Sequence, residues 1–231
     1  RVMITAGPTW EQLDAVRLLT NRSSGKMGVA LAKAAYARGA EVILIAGPGV
    51  PLMPTEIETI NVRSAGDMGA ALRELLAKPT RTRGTLLLMA AAVADFKAAN
   101  PHRDKPNYKK PESELAPGES ILLEVKPTAD LIRGVAENRQ HFEFESGAPL
   151  AIVAFAAETA EGDALIAKAQ SKLQRKQVDA VVANDARIAL EGDESEVFVV
   201  TKDGVIAKSG GQKRDIAEEA LSAVASVCSF A

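Results

Sequence analysis

Residues able to hold a metal or close a disulfide are nearly missing from this sequence. Its 231 residues include one cysteine, Cys228, and two histidines, His102 and His141. One cysteine excludes an internal disulfide, and three such residues fall short of a four-ligand zinc site. The protein is therefore expected to bring no metal of its own, apart from magnesium arriving with phosphates. An excess of either charge is missing too: 28 Lys and Arg against 30 Asp and Glu leave −2. No net field recruits nucleic acid or an anionic membrane, and neither is expected as a partner. No apolar run approaches the roughly 18 residues needed to cross a bilayer, and no leader pattern opens the chain. The expected setting is cytoplasmic. The sequence opens at Arg1, almost directly on a strand, as expected of a piece cut from a longer chain.

What is present is alternation. With 47% hydrophobic residues the chain has enough apolar mass for one good core. Continuous apolar runs such as "VMITA" (Val2 to Ala6), "EVILIAG" from Glu41, "TLLLMAAAVAD" from Thr85, "LAIVAFA" from Leu150 and "DAVVAN" from Asp179 read as buried strands. "IETINV" from Ile57 and "ILLEV" from Ile121 read as further strands. Helical spacing predicts helices over Gly25 to Arg38, from Ser64 to about Lys78, from about Ala129 to Asn138, over Ala164 to Lys176 and over Gln212 to Val227. Strands of this kind separated by helices define an α/β class: a Rossmann-like, doubly wound, mostly parallel sheet with helices on both faces. Residues 195–210 alternate around Asp203-Gly204 and predict a C-terminal β-hairpin appendage to a single domain. Residues 97–118 hold four prolines and five lysines or arginines, and an irregular stretch of that length reads as a flexible lid.

In such sheets ligands lie beyond the carboxyl ends of the strands. Four polar signatures fall there: "GPT" at Gly7, "AAVAD" at Ala91, "FAAET" at Phe155 and "AND" at Ala183. The bend "NRSSGKMG" (Asn21 to Gly28) crowds small residues where the first helix begins. With Gly7, its Ser23, Ser24 and Gly25 read as a phosphate or substrate loop, because helix N-termini attract anions. The competing reading is a Ser-Gly cap, with Gly28 easing helix–sheet packing. The P-loop spacing is absent, since no glycine precedes Gly25 by five residues, and GxGxxG is absent after the first strand. Lys168, Lys172 and Lys176 share one helix face at i, i+4 spacing. Lys105, Lys109 and Lys110 sit in the lid. Each lysine group reads either as a phosphate contact or as solvated surface.

"ITAGPTWEQLDAVRLLTNRSSGKMG" (Ile4 to Gly28) resembles the phosphopantothenoylcysteine synthetases, the phosphopantothenate–cysteine ligases of coenzyme A biosynthesis. "AAAVADF" (Ala90 to Phe96), "FAAET" and "KQVDAVVAND" (Lys176 to Asp185) continue the likeness in the same order. The resemblance implies a two-step ligation. The carboxylate of 4′-phosphopantothenate attacks the α-phosphate of CTP and releases pyrophosphate; the amine of cysteine then attacks the acyl-cytidylate and releases CMP. It places Asn21 near the acyl carbonyl, with Arg17 and Ala92 in support. Nucleotide contacts are implied for Met89, Ala90, Ala91, Asp95, Ala129, Asp130, Leu131, Ile132, Phe155, Lys172 and Lys176, with Lys105 as the lid lysine that serves intermediate formation. Mg2+ would accompany CTP, no flavin is implied in this domain, and the domain would form a homodimer whose lids reach the neighbouring subunit's site. In bacteria the domain usually follows an N-terminal flavin-dependent decarboxylase. Three departures matter. The family's "KIKK" is stretched to "KPNYKK", so Lys105 and Lys109 remain interchangeable. Its Asn-Pro-Asp reads Thr128-Ala129-Asp130. The choice of CTP over ATP rests on backbone contacts. Two rivals remain: a nicotinamide-dependent reductase, disfavoured by the missing glycine fingerprint and the absence of a Tyr-X-X-X-Lys pair, and a catalytically silent nucleotide-binding or dimerisation module, against which the intact Asn21, Asp95 and Lys105 count.

Overall fold

The apolar runs become strands because both faces of each are covered. The computed structural model describes residues 1–107, 109, 114, 120–185 and 194–227. The chain begins with β1 (Val2–Ala6), β2 (Trp10–Gln12), β3 (Leu18–Thr20), α1 (Lys26–Ala37), β4 (Val42–Ala46), β5 (Glu58–Asn61) and α2 (Ala65–Ala77). Next come β6 (Thr85–Met89), β7 (Phe96–Ala98), β8 (Val125–Pro127), α3 (Leu131–Glu137) and α4 (Arg139–Ser146). The last stretch carries β9 (Leu150–Glu158), α5 (Gly162–Lys176), β10 (Ala180–Asp185), β11 (Glu194–Thr201), β12 (Gly204–Gln212) and α6 (Lys213–Val227).

Eight strands form one sheet in the order β12-β11-β10-β9-β6-β1-β4-β5. From β5 to β10 every neighbouring pair is parallel, and β11 and β12 are antiparallel additions. The hairpin expected as an appendage therefore extends the main sheet: β11 pairs along β10 from Val181↔Val200 to Asn184↔Val197. The chain adds strands outward from β1 to β5, then returns to start β6 on the other side of β1. That reversal opens a crevice at the carboxyl ends, where doubly wound sheets bind ligands.

Strand alternation sorts the core into two layers. Met3, Ile43, Leu87, Ile152 and Val181 pack with Met68, Leu72, Val135, Phe142 and Leu165 of α2 to α5. Their successors Ile4, Leu44, Leu88, Val153 and Val182 pack with Leu31, Ile216 and Leu221 of α1 and α6. Among the described residues no helix is long and apolar enough to cross a membrane.

Some expectations shift. The strand from Thr85 stops at Met89, and the run to Asp95 crosses the sheet rim as a loop. The strand expected from Ile121 forms only at Val125–Pro127, where Phe96–Ala98 supplies the partner. The helix from about Ala129 is shorter: Asp130 caps α3 by accepting the Arg133 amide at 3.1 Å, and α4 follows from Asn138. Cys228 and Lys110 lie outside the described residues, as does much of the lid.

Candidate active site

A cleft of about 740 Å³ opens at this rim. Its walls come from the bend before α1, the loop after β6, the residues entering α3, the ends of β9 and β10, α5 and the start of α6.

The small residues of the bend have structural causes. Gly25 precedes α1 at φ 68°, a left-handed conformation that favours glycine. A Cβ there would fall 2.8 Å from Val50 Cγ2, and one on Gly28 would fall 2.4 Å from Ala6 Cβ. Gly28 thus lets α1 lie against β1, so the packing reading holds for that position. Asn21, Ser23, Ser24 and Gly25 nonetheless line the cleft. No side chain caps α1 and no acid lies in its first turn, which leaves its end open to an anion.

The opposing wall is a pinned loop. Thr5 Oγ1 accepts the Ala91 amide at 3.2 Å and Thr9 Oγ1 accepts the Ala94 amide at 3.0 Å. The Ala92 amide donates to Gly7 O at 2.9 Å, and Thr128 Oγ1 donates to Ala94 O. Asn21 Nδ2 donates to Val93 O at 3.0 Å, tying the bend to this loop. Met89, Ala90, Ala91, Ala92 and exposed Asp95 thereby face the same space as Ala129, Asp130, Leu131 and Ile132.

α5 supplies cations. Lys172 Nζ donates to Phe155 O at 2.6 Å, and both residues line the cleft. Burial pushes the Lys172 ammonium below its ordinary pKa; Glu158 works against this, and Lys176 and Arg175 add to it. Lys176 pairs with Asp130. Burial raises the Asp130 pKa, but Lys176 and the Arg133 amide outweigh it and hold the carboxyl below the usual range. Lys168 pairs with Glu158 at 3.2 Å and stands outside the cleft, so the lysine row divides between site and surface.

Gly7, Arg17 and Lys105 do not line the cleft. Gly7 (φ 78°) shapes it from behind, packed under Val50. Arg17 bonds Asp14 at 2.6 Å and Pro106 O at 2.8 Å, so it belongs with the lid. Lys105 and Lys109 are exposed. Sequence reasoning left out Arg22, Lys26, Arg175 and Lys213, and gave no role to Asn184. Arg22 and Lys26 stood inside the quoted bend. Arg175 is three residues from Lys172, hence near its face. Nothing local marks Lys213, which sheet topology alone delivers.

The cleft carries six cationic side chains and two carboxylates, whereas the whole chain is at −2. Among the described residues no three His, Cys, Asp or Glu side chains converge to hold a metal ion. Fold and cleft define a doubly wound α/β protein whose switch-point cleft is lined by an excess of cationic side chains.

Residues 1–227 match the family model for the DNA/pantothenate metabolism flavoprotein C-terminal domain, and the chain belongs to that family. It is 37% identical over 201 residues to the coenzyme A biosynthesis bifunctional protein CoaBC of Vibrio cholerae, covering 87% of this chain and 45% of that protein. The chain thus spans about half the length of the curated relatives it matches. A solved C-terminal domain of a CoaBC protein superposes with a TM-score of 0.71 at 31% identity, covering 96% of this chain and 92% of that one. A Cab2 mutant in complex with phosphopantothenate-cysteine shares the fold, with a TM-score of 0.73 at 16% identity over 98% of this chain and 86% of that one.

Proposed function

We propose that this chain is a phosphopantothenate–cysteine ligase domain, which activates 4′-phosphopantothenate with CTP and passes the acyl group to cysteine. The observation that carries this reading is the cationic cleft, which sets Asn21 against the pinned loop Ala90–Asp95 in a family whose relatives include coenzyme A biosynthesis proteins. Both proposed substrates with phosphates are polyanions, and the cleft has the matching sign.

In this reading the nucleotide base meets the backbone of Met89–Ala91 and Ala129–Ile132, with Phe155, Lys172 and Lys176 at its side. The triphosphate enters as its magnesium complex, which screens charge between its oxygens. The acid's carboxylate attacks the α-phosphorus and pyrophosphate departs. An amide NH2 has two N–H groups; Asn21 spends one on Val93 O and presents the other to the acyl carbonyl, stabilising the charge that grows there as cysteine attacks. Ala92 and Asp95 shape the acid's side of the cleft. Lys105 closes over the phosphates with the lid. Arg17 travels with it, because its guanidinium already holds Pro106 O. Two copies pair, each lid serving the other's cleft, and in the full protein the domain follows a flavin-dependent decarboxylase.

The test is pyrophosphate release. CTP with 4′-phosphopantothenate should give stoichiometric release without cysteine and continuous release with it, and ATP should substitute poorly. Absence of CTP-dependent release in both mixtures overturns the reading.

A further inference from the structure

The six cations of the cleft fall into two groups. Lys172, Arg175 and Lys176 belong to α5, on the face shared with α2 to α4. Lys26 and Lys213 begin α1 and α6, which pack together on the other face, and Arg22 precedes α1. Lys213 stands out because its residue is only 8% exposed, and the other five are more open. A lysine this buried needs partners, and Lys213 is engaged within the fold. An ammonium carries three N–H donors, and Lys213 also lines the cleft, where a ligand's oxygens would lie. The sheet register aligns Asn184, Val197 and Ser209 across β10, β11 and β12, and the first two line the cleft together with Lys213. The Ser209 hydroxyl is buried and has no hydrogen-bond partner among the described residues.

Strand order sets the direction. Asn21 and Val93 lie beside β6 and β1, whereas Lys213 directly follows β12, beyond β9, β10 and β11. In attack on phosphorus the entering and leaving oxygens stand roughly in line. A carboxylate approaching beside Asn21 therefore expels pyrophosphate toward the β10–β12 end. We propose that Lys213 is a phosphate-binding residue for the β- and γ-phosphates, the part that leaves; this rests on the ligase reading above. The carboxylate oxygen forms a bond to the α-phosphorus as the bond to the bridging oxygen breaks. That electron pair stays on pyrophosphate, where the ammonium stabilises it.

The experiment titrates CTP, CMP, pyrophosphate and 4′-phosphopantothenate into wild type, Lys213→Gln and Lys213→Arg. Loss of one charge-assisted contact should weaken CTP and pyrophosphate about 10- to 100-fold in Lys213→Gln. CMP should bind as in wild type, and Lys213→Arg should recover most of the loss. Equal weakening of CTP and CMP makes Lys213 structural, and weakening of 4′-phosphopantothenate alone assigns it to the acid; either overturns the proposal. A wild type that binds CTP tightly but releases no pyrophosphate with the acid refutes the ligase reading and leaves the triphosphate contact intact. One that binds neither nucleotide overturns both. Should Lys213→Gln fail to fold, cyanate carbamylation of wild-type Lys213, read by mass spectrometry, decides. Shielding by pyrophosphate and CTP but not by CMP is expected, and equal or absent shielding overturns the assignment.

Discussion

At the scale of single residues the site depends on donors held in place before any ligand arrives. Asn21→Asp replaces the Nδ2 donor to Val93 O with a carboxylate oxygen that repels it. We expect nucleotide binding to survive and turnover to fall about 100- to 1000-fold, as when an oxyanion donor is lost. Rapid-quench analysis should show the acyl-cytidylate accumulating, and ordinary turnover would remove the assignment. Lys172 gives a pH signature. Desolvation lowers its pKa from the ordinary 10.5, while the negative charge of a bound nucleotide favours its charged form. CTP affinity should therefore be complete below the lowered pKa and decline as pH rises through it, before an ordinary lysine would titrate. Lys172→Arg keeps its charge throughout and should flatten that decline in a calorimetric pH series. Stability moves the other way. Between the lowered and ordinary values the unfolded chain binds more protons, so the unfolding free energy rises with pH across that window.

Elements show why part of the site was legible in the sequence and part was not. β1, β4, β6, β9 and β10 are apolar runs bounded by polar turns, and their order alone implies a parallel sheet. Ser64 declares the start of α2 through a capping box with Asp67. Position-specific cleft residues were readable where a motif sat at a strand end, as at Asp95 and Phe155. The β2–β3 hairpin escaped notice because its strands are three residues each and bury little. α4 escaped because its sequence is mostly polar, with Phe142 and Ser146 its buried residues. Ile121 to Leu123 have strand propensity but find no partner strand among the described residues, and propensity yields to pairing. The bend before α1 both lines the cleft and lets α1 lie against β1, and one substitution separates the two. Gly28→Ala would press its methyl to 2.4 Å from Ala6 Cβ. Moving α1 off β1 should cost about 1–3 kcal/mol, the usual penalty of overpacking. Urea denaturation measures that loss, and an unchanged midpoint would show that α1 has slack against the sheet.

The whole molecule leaves apolar side chains uncovered beside the lid. Val16 and Leu18 on the first hairpin, Phe96 and Val125 on the β7–β8 pair, and Leu122 at 94% exposure all face solvent in the single chain. β2 packs against β7, and the His102 amide donates to Leu13 O at 3.1 Å, so these segments form one region. Exposed apolar patches of this kind mark association surfaces. They adjoin Arg17 and Lys105, which stand outside their own chain's cleft. A symmetric dimer through this region would carry both residues toward a neighbour's site, since the same patch serves both copies. Mixing two inactive variants tests this. Lys105→Gln should lack pyrophosphate release, and Asn21→Asp should lack acyl transfer. If the lid acts between subunits, each mixed dimer holds one site with an intact Asn21 and an intact neighbouring Lys105. Equal mixing followed by exchange makes about half the dimers mixed, with one of two sites complete, so about a quarter of wild-type turnover should return. Recovery should disappear with Leu122→Asp, which places a charge in the patch and should shift sedimentation toward monomer. No recovery from stable, freely exchanging dimers would confine the lid, Lys105 included, to its own chain.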